Sequence, residues 1–79
     1  MKTFKDLEFQ PHPSGYGKVA RIKLKDNHGI SVVQGHVYFG DNNLYEIAEL
    51  YNNEVITSSV VMDLNEEQIT ERMIKIQTI

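Results

Sequence analysis

The sequence predicts an α+β fold: a four-stranded antiparallel β-meander with one C-terminal amphipathic helix on one face, in a single domain spanning residues 1–79. Three observations carry this reading. KVARIKLK alternates apolar and charged residues strictly. Two further runs rich in β-branched and aromatic residues follow it, each bounded by Gly, Asn and Asp clusters. Behind Asn65 the apolar period then changes from two to that of a helix.

The first feature in chain order is PHPSGYG, residues 11–17. Its prolines fix φ and hold the preceding residues extended, and Ser14-Gly15 then permits a turn. A stiff connector into a strand has this composition. So does a recognition loop that holds His12 and Tyr16 in place at low entropic cost.

KVARIKLK, residues 18–25, is the first long strand. Ala20, Ile22 and Leu24 are expected on the core side, with Val19, Arg21, Lys23 and Lys25 on the other. Asp26, Asn27, His28 and Gly29 form a turn cluster in which Gly29 is available for positive φ. GISVVQGHVYF, residues 29–39, is the second strand of that hairpin, with a bulge or bend at Gly35. Val32 or Val33, then Val37 and Phe39, would face the core.

LYEIAELY, residues 44–51, is ambiguous. Leu44, Ile47, Ala48 and Tyr51 have helical spacing, and Asn43 with Glu46 fits a capping box. Its length, and Asn52-Asn53 before the β-branched run EVITSSVV, favour a strand in a second hairpin. The helix that follows has clear start signals: Asn65 as N-cap, Gln68 at the capping-box position, Glu66 and Glu67 in the first turn, and Leu64 with Ile69 as a staple. Ile69, Met73 and Ile76 then share one face.

One helix covers one face of such a sheet, so the basic row Arg21, Lys23 and Lys25 is placed on the open face. Charge is divided along the chain: residues 1–39 hold six Lys or Arg against three Asp or Glu, and residues 40–79 hold two against eight. That division steers partners or marks solvated faces of opposite sign. A chain of 79 residues without cysteine has a limited core and no disulfide, so a homodimer is one expected source of stability. A reducing compartment suits that composition. No apolar run reaches the roughly 20 residues of a membrane span.

Signals for chemistry are weak. His12, His28 and His36 lack the spacing of a metal site. No serine stands in a nucleophile elbow, and no Walker lysine follows GYG. The sequence therefore points to neither an enzyme nor a cofactor. Nucleic acid is the alternative partner, with Arg21, Lys23 and Lys25 near Tyr38, Tyr45 or Tyr51 as stacking groups.

DLEFQPHPSGYGKVARIKL, GISVVQG and LYEIAEL together resemble a group of small bacteriophage- and prophage-encoded proteins of unknown function. That group shows D-L-x-F-x-P-H-P-x-G-x-G, a G-x-S-V-V strand, a Y-E-L-A-like strand and a C-terminal helix. This chain has Ile47 where leucine is common, and a shorter link into the helix. The resemblance implies a phage accessory protein in the bacterial host cytoplasm. Such a protein would act by stoichiometric binding to a host protein, with inhibition of a defence system such as a CRISPR effector as one form. His12, Tyr16, Arg21, Lys23 and Lys25 are the candidate partner-binding residues.

Overall fold

The computed structural model describes residues 1–13, 17–34 and 44–78. Its elements run β1 (Gln10–Pro11), β2 (Lys18–Lys25), β3 (His28–Gln34), β4 (Tyr45–Tyr51), β5 (Glu54–Val55), β6 (Val61–Leu64) and α1 (Glu66–Thr78). The described strands form one antiparallel sheet in sequence order, with β5 and β6 both on the outer edge of β4. The expected α+β architecture is present. It differs from a four-stranded meander by the short β1 and by the division of the last strand.

Alternation in β2 sets the two faces. Ala20 and Leu24 are buried and Ile22 is half-buried, while Lys18, Arg21 and Lys23 are exposed. Register carries the pattern across the sheet: Ala20 stands opposite Val32, which stands opposite Ile47, so all three share the core face. Val33 is one residue out of phase and lies half-buried on the other face. Val37 and Phe39 lie outside the described residues, as does the bulge expected at Gly35.

The β2–β3 and β4–β5 turns each take two residues. Asn52 and Asn53 have φ of 51° and 69°, the paired left-handed conformation of a type I′ turn. In the first hairpin Asp26, at φ 34°, takes the positive value. Gly29, expected there, lies inside β3 instead. The N–H of Asn52 donates to the carbonyl of Asn27 at 2.9 Å, which ties the two turns together.

LYEIAELY is a strand: residues 45–51 pair with β3 along its whole length. Helical spacing loses here because pairing on both sides of β4 satisfies its peptide groups while Ile47 and Tyr45 still reach the core. The last strand expected from the sequence is divided into β5 and β6 by a 3-10 turn at Thr57–Ser59. Within the break, Ile56 N–H donates to Glu49 O at 2.9 Å, and the Ser59 hydroxyl accepts Glu49 N–H at 2.8 Å. A second irregularity follows, where Asp63 takes φ 61° and the register slips against Tyr45 and Ile47.

The helix starts where its signals place it. Asn65 N–H donates to Gln68 Oε1 at 2.8 Å and Gln68 N–H donates to Asn65 Oδ1 at 2.9 Å, a reciprocal capping box. Leu64 and Ile69 both join the core, as a staple requires. Ile69 and Met73 are fully buried and Ile76 packs against the same cluster, whereas Ile74 is exposed.

The N-terminal segment completes the core from the other end of the chain. Leu7 is buried, and Phe4 and Phe9 pack on Tyr45 with ring centroids 5.0 and 5.8 Å away. Lys2 N–H donates to Gln77 Oε1 at 2.8 Å, and Gln77 Nε2 donates back to Lys2 O at 2.7 Å. Phe4 N–H donates to the Thr70 hydroxyl at 3.1 Å. The first residues are thereby fastened along α1.

Candidate partner-binding surfaces

On the face of the sheet away from α1, β2, β3 and β4 contribute matched rows. Lys23, Gly29 and Leu50 stand side by side, and Arg21, Ser31 and Ala48 form the next row. Gly29 and Ser31 on the middle strand are small, as is Ala48, while Arg21, Lys23 and Leu50 stand taller around them. The resulting cleft, ≈ 390 Å3, lies at the hairpin end of the sheet. Arg21 and Lys23 line it together with Leu50, and Asn27, Asn52 and Asn53 rim it from the two turns. Asp26 and His28 complete it, with the His28 ring edge-on to Tyr51 at 5.3 Å. Two cations, several amides and an apolar floor suit a carboxylate-bearing side chain of a partner.

Gly29, which lines the cleft, lets β3 approach β2 closely. A side chain there would meet the β2 backbone, because an added Cβ would sit 2.5 Å from the carbonyl oxygen of Ile22. The register between β2 and β3 shifts between Lys23 and Lys25 at this same place.

The other sequence-predicted groups are distributed differently. Lys25 is half-buried and pairs with His28 beside the turn. His12 is half-buried, and its N–H donates to Gly17 O at 3.1 Å, closing the β1–β2 connection. The described ends of PHPSGYG thus meet between β1 and β2, with Gly17 at φ 70°. Tyr16 lies outside the described residues. His12 is therefore in a different connection from the cleft that Arg21 and Lys23 line.

Tyr45 corrects one expectation. As a stacking platform it would have to face solvent, yet it is 9% exposed and belongs to the core with Phe4 and Phe9. Burial raises its phenol pKa above the usual value, and the nearby Glu66 carboxylate raises it further. Tyr38 and His36 lie outside the described residues. Tyr51 is exposed, but it stands against His28. Among the described residues, no group of three His, Asp or Glu side chains comes together as a metal site.

A second surface was not read from the sequence. Along the outer edge of the sheet, Tyr51, Val55, Ile56, Val60 and Met62 are 39–49% exposed. The pattern EVITSSVV hides it, because that run reads as one strand and is in fact divided at Thr57–Ser59. Glu54, paired with Tyr51, and Asp63, beside Met62, are exposed along the same edge. Among the described residues no helix is long and apolar enough to cross a membrane.

No protein-family model, curated protein or solved structure matches the chain.

Proposed function

We propose that this chain is a small phage accessory protein of the bacterial host cytoplasm. It works by stoichiometric binding to a host protein, with inhibition of a defence system such as a CRISPR effector as its specific form. The phage context rests on the sequence resemblance. The binding mode rests on one structural observation: the exposed apolar strip Tyr51, Val55, Ile56, Val60 and Met62 along the sheet edge. Exposed apolar side chains gathered on one edge of a sheet, on both of its faces, favour a protein contact. A phosphate backbone gains nothing from it. Burial of Tyr45 in the core further weakens the nucleic-acid alternative, which keeps Arg21 and Lys23 but loses a stacking group.

The test is affinity capture of the tagged protein from infected host cells, with the intact chain compared to a Val60→Asp, Met62→Asp double variant. Both residues are exposed, so the variant should keep the parent melting behaviour. The expected result is a stoichiometric host protein retained by the parent and lost by the variant. Equal capture by both would remove the apolar edge from the binding surface. Submicromolar affinity for an unstructured oligonucleotide at physiological salt, reduced by Arg21→Ala and by Lys23→Ala, would reverse the choice of partner class.

A further inference from the structure

β2 is an edge strand over most of its length. β1 pairs only with Lys18 and Val19, and no other described strand lies on that side. Which peptide groups face outward follows from the pairing. Gln10 stands opposite Val19, and His12 N–H donates to Gly17 O at 3.1 Å, so residues 17 and 19 direct their peptide groups toward β1. Antiparallel strands alternate, so Arg21 and Lys23 direct theirs the same way. The carbonyl of Lys23 bears this out, since it accepts the Lys2 ammonium at 3.0 Å. Beyond β1 there is thus a short ladder with N–H and C=O groups at the spacing of one more strand, and an added strand would displace the Lys2 side chain from the Lys23 carbonyl.

The side chains on that ladder select what can join it. Arg21 and Lys23 are exposed, on the face away from α1. Cations on an edge strand repel strands of like charge, which is a common guard against self-pairing. A second copy offering its own β2 would set Arg21 and Lys23 against their equivalents. The opposite sheet edge of a second copy is a poor strand donor, interrupted at Thr57–Ser59 and again at Asp63. An extended segment with acidic side chains on alternate residues meets neither obstacle. Its carboxylates would face Arg21 and Lys23 while its backbone completes the ladder.

We propose that the outer edge of β2, at Arg21 and Lys23, accepts an extended acidic segment of a partner protein as an added strand continuing the line of β1. This deepens the protein-binding reading, and rests on it, by giving a second contact and its chemistry. The experiment uses the intact 15N-labelled protein and a short peptide of alternating glutamate and valine. The amides of Arg21 and Lys23 should shift and gain protection from hydrogen exchange. A lysine–valine peptide of the same length should do neither. N-methylation of the peptide residues that face β2 should weaken binding about tenfold or more, while N-methylation of the intervening residues should not. An Arg21→Glu, Lys23→Glu variant that remains folded should prefer the lysine–valine peptide.

Absence of protection at Arg21 and Lys23 would overturn the proposal. So would binding insensitive to N-methylation on the facing side, because the cations would then act as charge alone. Neither result touches the capture of a host protein through the apolar edge. Failure of that capture would equally leave the peptide result standing, so the two readings fail separately.

Discussion

The α-carbon of Gly29 lies so close to the carbonyl oxygen of Ile22 that an added Cβ would sit 2.5 Å from it, and 3.3 Å from the Lys23 α-carbon. The contact is backbone against backbone, so no flexible side chain can yield. β2 and β3 approach this closely where their register slips, between Lys23 and Lys25.

Gly29→Ala should therefore force the hairpin apart and cost about 1–3 kcal/mol, the usual range for overpacking. Urea unfolding reads the loss as a lower midpoint with an unchanged slope. A midpoint equal to the parent's would mean that the strands are not held this close in solution.

The helix start offers a cleaner test, because both bonds of the capping box are present. Asn65→Ala should cost about 1 kcal/mol, and Asn65→Asp should retain most of the stability. Thermal unfolding of the two variants decides it. Equal melting temperatures for the alanine and aspartate variants would show that the cap contributes nothing.

Core substitutions should follow burial rather than residue type. Ile69 is fully buried, whereas Ile22 is half-buried at the margin of the same cluster. Ile69→Ala should cost about 2–5 kcal/mol. Ile22→Ala removes the same atoms from a partly wet site and should cost roughly half as much. Denaturant titration of both variants reads the ratio. Equal losses would place Ile22 in the interior after all.

Alkaline pH should expose the position of Tyr45. Its phenol is raised above the ordinary value, first by burial and then by the Glu66 carboxylate. The folded state consequently holds that proton more tightly than the unfolded chain, whose tyrosine titrates near pH ~10. Stability from this source is complete below the unfolded value and is lost as pH rises through the folded one. Tyr45→Phe should flatten the alkaline decline, and Tyr51→Phe, at an exposed site, should not. Identical pH–stability curves for parent and Tyr45→Phe would sink the assignment.

What the sequence determined by itself is what short-range physics controls. The alternation of Ala20, Ile22 and Leu24 with Arg21 and Lys23 specified β2 and its two faces, since side chains in a strand point to opposite sides. Asn52-Asn53 specified the second turn, because asparagine tolerates the left-handed conformation there. Asn65 and Gln68 specified the start of α1, because the bonds they make lie within one turn of chain. Arg21 and Lys23 were legible as surface cations for the same reason.

Tertiary structure alone decided the rest, where the winning partner is distant in the chain. Tyr45 has the pattern of a surface aromatic until Phe4 and Phe9 cover it from the N-terminal segment. Lys2 and Gln77 exchange bonds across the whole chain, and no local period announces that. At the break between β5 and β6, Ser59 and Ile56 together occupy the peptide groups of Glu49. That competition is between a hydroxyl and a ladder bond, and β-branched residues on either side give no sign of its outcome. The apolar edge and the ladder at Arg21 and Lys23 are products of such choices: each exists because a neighbouring strand stops short. Where a strand ends against its neighbours is settled by packing across the sheet, and periodicity along the chain does not encode it.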